Sequence, residues 1–257
     1  MVRRRPLALA AALMLLAACG GAPLPQAVTN TLQPRKPPLF PMPDRPVATI
    51  VSSRWSNEEA RDRLNEAPRV MDKAGIAPGM TVADIGAGEG YYTIRLSERV
   101  GPDGRVLAQD IVPAVRDALA ERVTRERIAN VSVRLGEPDD PKLPGNSFDR
   151  ILMVHMYHEI TQPYAFLWAV RPALRAGGRV VVVDADRPTQ NHGTPPELLR
   201  CEMAAVGYRQ VSVEPMPSAG GYLAMFEAAG TRPAPGAIVP CRMSPTPSAP
   251  QPDPHAT

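Results

Sequence analysis

The sequence predicts an α/β fold built on a doubly wound, mostly parallel sheet of seven strands that ends in an antiparallel hairpin. Two observations carry this prediction. From residue 55 onward, short runs rich in Val, Ile and Leu alternate with segments of helix length, which is the pattern of right-handed βαβ units. The last two runs instead follow each other across a turn rich in Pro and Gly, which indicates a hairpin.

Each predicted strand is a short apolar run bounded by turn residues. The parallel strands are 81–85, 105–109, 131–135, 149–155 and 179–184, and the hairpin strands are 211–214 and 222–227. The segments of helix length are 57–74, 91–100, 113–129 and 164–174. In the first of them Ser56 or Asn57 is the candidate cap, and Pro68 should kink or divide the helix because proline has no amide hydrogen to donate.

The two ends of the chain differ in composition from the middle. Most of the excess among the 31 prolines lies in residues 20–47 and 230–257, which we predict to be a Pro-rich linker and a Pro-rich disordered tail. The folded domain is expected at 48–229. Residues 1–19 have an arginine-rich start and an apolar stretch too short for a transmembrane helix, so they read as an export signal.

The signal ends in Leu-Ala-Ala-Cys-Gly, which resembles a bacterial lipobox. Lipidation of Cys19 would anchor the mature protein to a membrane of the cell envelope, on the periplasmic side. A short uncleaved anchor that leaves the domain on the cytoplasmic face of the inner membrane is the alternative.

The charge distribution argues against a nucleic-acid partner. The formal net charge is +3, but Arg3, Arg4 and Arg5 supply three of the 29 basic residues, and the remainder balance the 26 acidic residues. A chain without clustered Lys and Arg lacks the electrostatic footprint that phosphate backbones require.

Cysteine spacing indicates no metal site, because no CxxC pair or Cys/His cluster occurs. A disulfide between Cys201 and Cys241 would need an oxidising compartment, and we expect Cys201 instead to be a buried, unpaired thiol in a helix.

Three glycines follow the first strand, in the segment Asp84-Ile85-Gly86-Ala87-Gly88-Glu89-Gly90. Glycine lets a ligand approach the backbone, and the carboxyl ends of parallel strands are where such sheets bind ligands. The third glycine comes one residue too early for a dinucleotide fingerprint, and no P-loop lysine follows. Asp84 would repel a phosphate but not a cationic amino-acid group. A tight strand-to-helix turn would also explain Gly86 and Gly88.

This D-x-G-x-G-x-G segment resembles motif I of the class I S-adenosylmethionine-dependent methyltransferases, whose fold is Rossmann-like. Asp110 follows the second strand, where that family has an acid that bonds the ribose hydroxyls, and Glu137 follows the third, where an acid contacts adenine. The resemblance extends to residues 148–150 and to 174–179, although Ala176 replaces the usual proline. It implies S-adenosyl-L-methionine as the cofactor, with a binding site made of Asp84, Gly86, Gly88, Gly90, Asp110 and Glu137.

Two of these residues also have simpler interpretations. Asp110 is well placed to cap the next helix, which begins with Pro113, and both roles can coexist. Glu137 is equally consistent with a solvated loop.

The catalytic candidates follow the fourth strand. A Tyr157-His158-Glu159 element there resembles a branch of the family that acts on small molecules. We expect His158 to be the general base or to orient the acceptor, with Glu159 fixing its tautomer, although a histidine that satisfies loop carbonyls is the alternative. His192, in the loop 184–196, is a weaker candidate to close over the acceptor.

Together these observations predict a methyltransferase for a small-molecule or membrane-associated, lipid-like acceptor. The envelope signal conflicts with a cofactor that is made in the cytoplasm. The alternative is therefore an envelope lipoprotein in which the same fold is a non-catalytic binding or scaffold module.

Overall fold

The computed structural model describes residues 39–50 and 57–242. The predicted signal peptide 1–19 with Cys19, the linker as far as residue 38 and the tail beyond residue 242 lie outside the described residues. Within the described ranges, none of the helices is long and apolar enough to span a membrane.

The described chain forms a seven-stranded sheet in the order β3-β2-β1-β4-β5-β7-β6. All pairs from β3 to β5 are parallel, whereas β7 runs antiparallel to both β5 and β6. The predicted fold class is therefore confirmed. The strands are β1 (Thr81–Ile85), β2 (Arg105–Asp110), β3 (Val131–Leu135), β4 (Phe148–Val154), β5 (Leu174–Asp184), β6 (Tyr208–Met216) and β7 (Gly221–Ala228).

Helices cover both faces of the sheet, because alternate side chains of its central strands are buried on opposite sides. Ala83 and Ile85 of β1 join one apolar cluster, and Val82 joins the other. The helices are α1 (Glu58–Arg63), α2 (Glu66–Lys73), α3 (Tyr91–Val100), α4 (Pro113–Arg125), α5 (Pro163–Val170) and α6 (Pro196–Ala205).

The first predicted helix is divided, but not at its proline. The break falls at Asn65, which has a left-handed backbone with φ 55°, and α2 begins at the next residue. Pro68 lies in the first turn of α2, where its missing amide hydrogen has no helical partner to lose. The cap of α1 is Asn57, whose side chain accepts a hydrogen bond from the Ala60 amide.

The folded part extends beyond the expected limits of 48 and 229. On the amino side, Arg45 is buried and its guanidinium bonds the Glu202 carboxylate of α6 at 2.9 Å. The other oxygen of Glu202 accepts the Tyr157 hydroxyl at 2.7 Å. On the carboxyl side, the amide of Cys241 donates to the Tyr164 hydroxyl. Segments that we predicted as linker and tail therefore pack on the domain through buried polar contacts.

The structure also corrects the expectation for the cysteines. Cys201 is exposed in α6 and forms a disulfide with Cys241, which is 40 residues further along the chain. The prediction that Cys201 is a buried, unpaired thiol is therefore wrong. The sequence did not reveal the pairing because residues 230–242 read as tail, although they return to α5 and α6.

We expect the disulfide to stabilise the fold by about 4 kcal/mol, the value that the chain-entropy model gives for a closed loop of this length. The Cys201→Ser/Cys241→Ser variant should unfold at correspondingly lower urea concentration than the oxidised wild-type protein, as followed by circular dichroism. The reduced wild-type protein is the matched control and should resemble the variant. Equal midpoints for oxidised and reduced protein would contradict the prediction.

Candidate active site

A cavity of ≈ 280 Å³ opens at the carboxyl ends of β1, β2 and β4. The glycine loop after β1 and the end of β2 form one part of its wall. The segment after β4 forms another part, and α1 contributes to a third. Parallel sheets bind ligands at this edge. The lining residues include Gly88, Asp110, Arg61, His155, Met156 and Glu159.

The glycine loop needs its glycines for different reasons. Gly88 has φ +55°, and a Cβ there would meet no atom within 4 Å, so its missing side chain leaves open space. Gly90 has φ +92°, and a Cβ there would lie 2.4 Å from Leu119 Cδ1. The first position therefore permits close approach to the backbone, and the second lets α3 begin against α4.

Asp84 lies in β1, two residues before Gly86, and is buried. Its carboxylate accepts the Thr93 hydroxyl at 2.6 Å. Burial raises the pKa of Asp84 to about 6, against the hydrogen bond from Thr93, which lowers it. The resemblance places Asp84 in the cofactor site, but its carboxylate bonds Thr93 of α3 and is not part of the cavity wall.

We expect Asp84 to make stability depend on pH. Because the folded state has the higher pKa, it binds the proton more tightly than the unfolded state, so this contribution is full below about pH 4 and is lost as pH rises through about 6. The change is at most about 3 kcal/mol. Urea unfolding should show that the wild-type protein loses stability relative to Asp84→Asn across this window. Parallel curves for the two proteins would contradict the assignment.

Asp110 ends β2 and connects the loops on either side of the cavity. One carboxylate oxygen accepts the Gly88 amide at 3.1 Å, and the other accepts the Val112 amide at 2.9 Å. The N-cap residue of α4 is Val112, which makes no side-chain capping bond. Asp110 therefore is not the N-cap that the sequence suggested, and it bonds the amide of the N-cap residue instead. An ionised carboxylate has further lone pairs, so Asp110 still has acceptor capacity toward the cavity.

Glu137 is not brought to the cavity. Its side chain is exposed and pairs with the Lys142 ammonium at 3.1 Å. Pro138 stands in the cavity wall instead. The structure therefore favours the solvated-loop interpretation that the sequence left open for Glu137.

The Tyr157-His158-Glu159 element divides into three separate environments. Tyr157 is fully buried on Glu202. His158 is 1% exposed, and its Nδ1 lies 3.0 Å from the Asp184 carboxylate at the end of β5. Glu159 lines the cavity. The partner that fixes the His158 tautomer is thus Asp184, and the expectation that Glu159 has this role is wrong.

His155 is the histidine in the cavity wall. It follows β4 directly and has a left-handed backbone with φ 54°, which is uncommon outside glycine. Its amide donates to the Val183 carbonyl at 2.8 Å. Burial lowers the pKa of the imidazole, so the neutral ring that can accept a proton predominates at pH 7.

Comparison with known proteins matches this geometry to a family. Residues 82–178, which carry the glycine loop, Asp110 and β4, match the sequence model of a family described as a methyltransferase domain. Residues 82–178 are therefore similar to a methyltransferase domain.

Two curated relatives match part of this chain. Nocamycin O-methyltransferase of Saccharothrix syringae is 43% identical over 84 residues, which cover 32% of this chain and 30% of that protein. The ubiquinone/menaquinone biosynthesis C-methyltransferase UbiE of Idiomarina loihiensis is 32% identical over 120 residues, or 46% of this chain and 47% of that protein. The chain thus spans less than half the length of these two curated relatives.

The structure of a SAM-dependent methyltransferase from Aquifex aeolicus has the same fold. Its TM-score is 0.57 at 23% sequence identity, and the likeness covers 66% of this chain and 96% of that chain. This comparison extends the shared fold well beyond residues 82–178.

The cavity of the methyltransferase domain fits S-adenosylmethionine. The open space at Gly88 admits a ligand against the backbone, and Asp110 offers acceptors beside it. Most charged residues in the cavity wall are acidic, which suits a cofactor that carries positive ammonium and sulfonium groups. The charged wall residues are Glu58, Glu89, Asp110, Glu159 and Arg61.

The wall that α1 contributes was not predicted from the sequence. Arg61 stacks 3.8 Å above the Tyr91 ring and bonds Glu66 at 3.0 Å. Glu58 pairs with Arg122 of α4 at 2.6 Å, and this contact lowers the pKa of Glu58 despite its partial burial. The only sequence signal was the density of charged residues in 57–66. This signal does not identify a cavity wall, because partners of these charges lie in α3 and α4.

Proposed function

We propose that this protein is a methyltransferase that moves a methyl group from S-adenosylmethionine to a small-molecule or membrane-associated, lipid-like acceptor. One observation carries the proposal: the cavity that contains Gly88 and Asp110 also contains His155 and Glu159. A cofactor held at the first pair and an acceptor at the second would share one enclosed space. Methyl transfer is an in-line displacement that depends mainly on such positioning.

Bound S-adenosylmethionine would supply an electrophilic methyl group, and its sulfur would keep the electron pair of the bond that the acceptor displaces. The residues of this chain then have separate tasks. Asp110 holds the cofactor and fixes the loop around Gly88. His155 accepts the proton when the acceptor atom must lose one, which replaces the role that the sequence suggested for His158.

The envelope setting belongs to this proposal. The signal-like residues 1–19 with a lipidated Cys19 would attach the enzyme to a membrane, and the Cys201–Cys241 disulfide supports an oxidising compartment. Attachment at the cytoplasmic face of the inner membrane is the other location that the first 19 residues allow. An acceptor in or near the membrane suits both locations.

A test that needs no knowledge of the acceptor is to measure S-adenosylhomocysteine formed by the full-length protein. The protein is mixed with S-adenosylmethionine and with lipid or small-molecule extracts of bacterial envelopes. We expect product above the protein-free rate, and we expect the Asp110→Ala variant to abolish it. A protein that binds the cofactor but forms no product with any extract would favour the binding or scaffold lipoprotein instead.

His155→Gln tests the proposed base. We expect turnover to fall about 100-fold or more while affinity for S-adenosylmethionine is unchanged, because the residue contacts the acceptor end of the cavity. His255→Gln is the matched control, since it changes a histidine that belongs to no proposed site. Full turnover by His155→Gln would show that another group takes the proton or that none is needed.

A further inference from the structure

Two histidines and a carboxylate converge beside the acceptor end of the cavity. One ligand atom each of His158, Glu159 and His192 lie within 4.8 Å of one another. The two imidazole rings meet edge to face, with centroids 5.5 Å apart. In the part of the chain that the structure describes, this is the one group of His, Cys, Asp and Glu side chains with metal-binding spacing.

Asp184 determines which nitrogen of His158 is available. Its buried carboxylate accepts the Ala185 amide at 2.9 Å and the Thr194 hydroxyl at 2.7 Å. Nδ1 of His158 is its third neighbour. Because the carboxylate is an acceptor in each contact, Nδ1 carries the proton and donates it, and the lone pair of the neutral ring is on Nε2.

That lone pair has no partner within the described ranges. Nε2 of His158 is buried without a hydrogen bond, and so is Nδ1 of His192 among the same residues. The whole His158 side chain is 1% exposed. A buried polar atom left unpaired costs about 1–3 kcal/mol. Both unpaired nitrogens belong to histidines that are grouped with the Glu159 carboxylate, so a cation bound by this group would recover this cost.

We propose that His158, His192 and Glu159 bind a divalent transition-metal ion of the Zn²⁺ type. Two imidazoles and one carboxylate are a common donor set for such ions, whereas Mg²⁺ and Ca²⁺ prefer oxygen ligands alone. Metal-bound histidines usually donate their second ring nitrogen to a carboxylate that orients the ring, and Asp184 would have this role for His158.

The spacing is compatible with this ion. Three atoms at the corners of a triangle with sides of 4.8 Å lie about 2.8 Å from its centre. Bonds from Zn²⁺ to nitrogen and oxygen are ~2.0–2.2 Å long, so each ligand has to move by less than about 1 Å. His192 lies in the loop before α6, and Glu159 is half-buried, so rotamer changes at these two residues can close the site.

Metal binding would also indicate the chemical class of the methyl acceptor, an inference that rests on the proposed function. Three protein ligands leave the ion a fourth position. Glu159 lies in the cavity wall, and we place an acceptor that binds this position on the Glu159 side of the ion. An acceptor hydroxyl or thiol would donate a lone pair to the ion and lose its proton to His155. The metal lowers the pKa of such a group. The acceptor class is therefore a molecule with an ionisable oxygen or sulfur.

The test is calorimetric titration of the metal-free, full-length protein with Zn²⁺, with Co²⁺ absorbance as a second reading of the same site. We expect one ion per chain. His192→Ala and Glu159→Gln each remove a ligand and should weaken binding by more than about 100-fold, and Asp184→Asn should weaken it by about 10–100-fold. His255→Ala is the control for adventitious binding by another histidine and should have no effect.

His192→Ala is the first variant to make. His192 lies in a loop, so we expect its replacement to disturb the fold less than replacement of the fully buried His158. Absence of Zn²⁺ binding by the wild-type protein, or binding that His192→Ala and Glu159→Gln both leave unchanged, would overturn the inference. Formation of S-adenosylhomocysteine is scored separately. A protein that turns over without binding metal disproves this inference alone, and one that binds metal without turnover disproves the proposed function alone.

Discussion

The Asp110→Ala variant is expected to bind S-adenosylmethionine at least about 100-fold more weakly than the wild-type protein. In the proposed function, the Asp110 carboxylate would accept two hydrogen bonds from the cofactor, and it also bonds the amides of Gly88 and Val112. A hydrogen bond to a charged group contributes about 1.5–3 kcal/mol, so loss of two such bonds accounts for the expected factor. Calorimetric titration measures the change directly.

Glu137→Ala is the control for this prediction. Both residues are acids that follow neighbouring strands, but Glu137 is exposed and pairs with Lys142 outside the cavity. We therefore expect its removal to leave cofactor affinity within about threefold of the wild-type value, because exposed ion pairs contribute little. If Glu137→Ala weakened binding as much as Asp110→Ala, the assignment of the cofactor side of the cavity would be wrong.

The Glu202→Ala variant is expected to lose about 3–5 kcal/mol of stability. Glu202 and Arg45 have side chains that are 1% and 0% exposed, and Glu202 also accepts the Tyr157 hydroxyl. Removal of the carboxylate leaves a buried guanidinium and a buried hydroxyl without their partner. Urea unfolding followed by circular dichroism gives the free energy of unfolding for comparison.

Glu197→Ala in the same helix is the matched control. Its carboxylate pairs with Arg200, and these side chains are 81% and 58% exposed. We expect a change below about 1 kcal/mol because the pair is solvated. Equal losses for Glu197→Ala and Glu202→Ala would mean that the effect arises from helix propensity and not from the buried network.

Local sequence patterns were enough to predict the sheet and to place the glycine loop and Asp110 at one edge of it. Short runs rich in Val, Ile and Leu predict the strands. Both faces of the central strands are buried, as consecutive buried residues in β1 and β5 show. The glycine loop and Asp110 follow strands directly, so a prediction of the strands also places them. Strand ends were predicted less well: β5 begins at Leu174, five residues before the predicted start.

The acceptor side was not predictable in the same way, because it depends on contacts between distant parts of the chain. His158 meets Asp184 26 residues away, and Arg45 meets Glu202 157 residues away. Two signals were nevertheless present. Asp184 follows four consecutive valines at the end of β5, beside β4, and Glu202 lies between Cys201 and Met203 in α6. An isolated carboxylate in such a position is rarely buried without a partner.

The most direct test of the account is calorimetric titration of the full-length protein with S-adenosylmethionine, followed by displacement with S-adenosylhomocysteine. We expect one site per chain with micromolar affinity, from which S-adenosylhomocysteine displaces the cofactor. A folded protein that binds neither compound at millimolar concentration would contradict the assignment of the cavity between β1, β2 and β4 as a cofactor site.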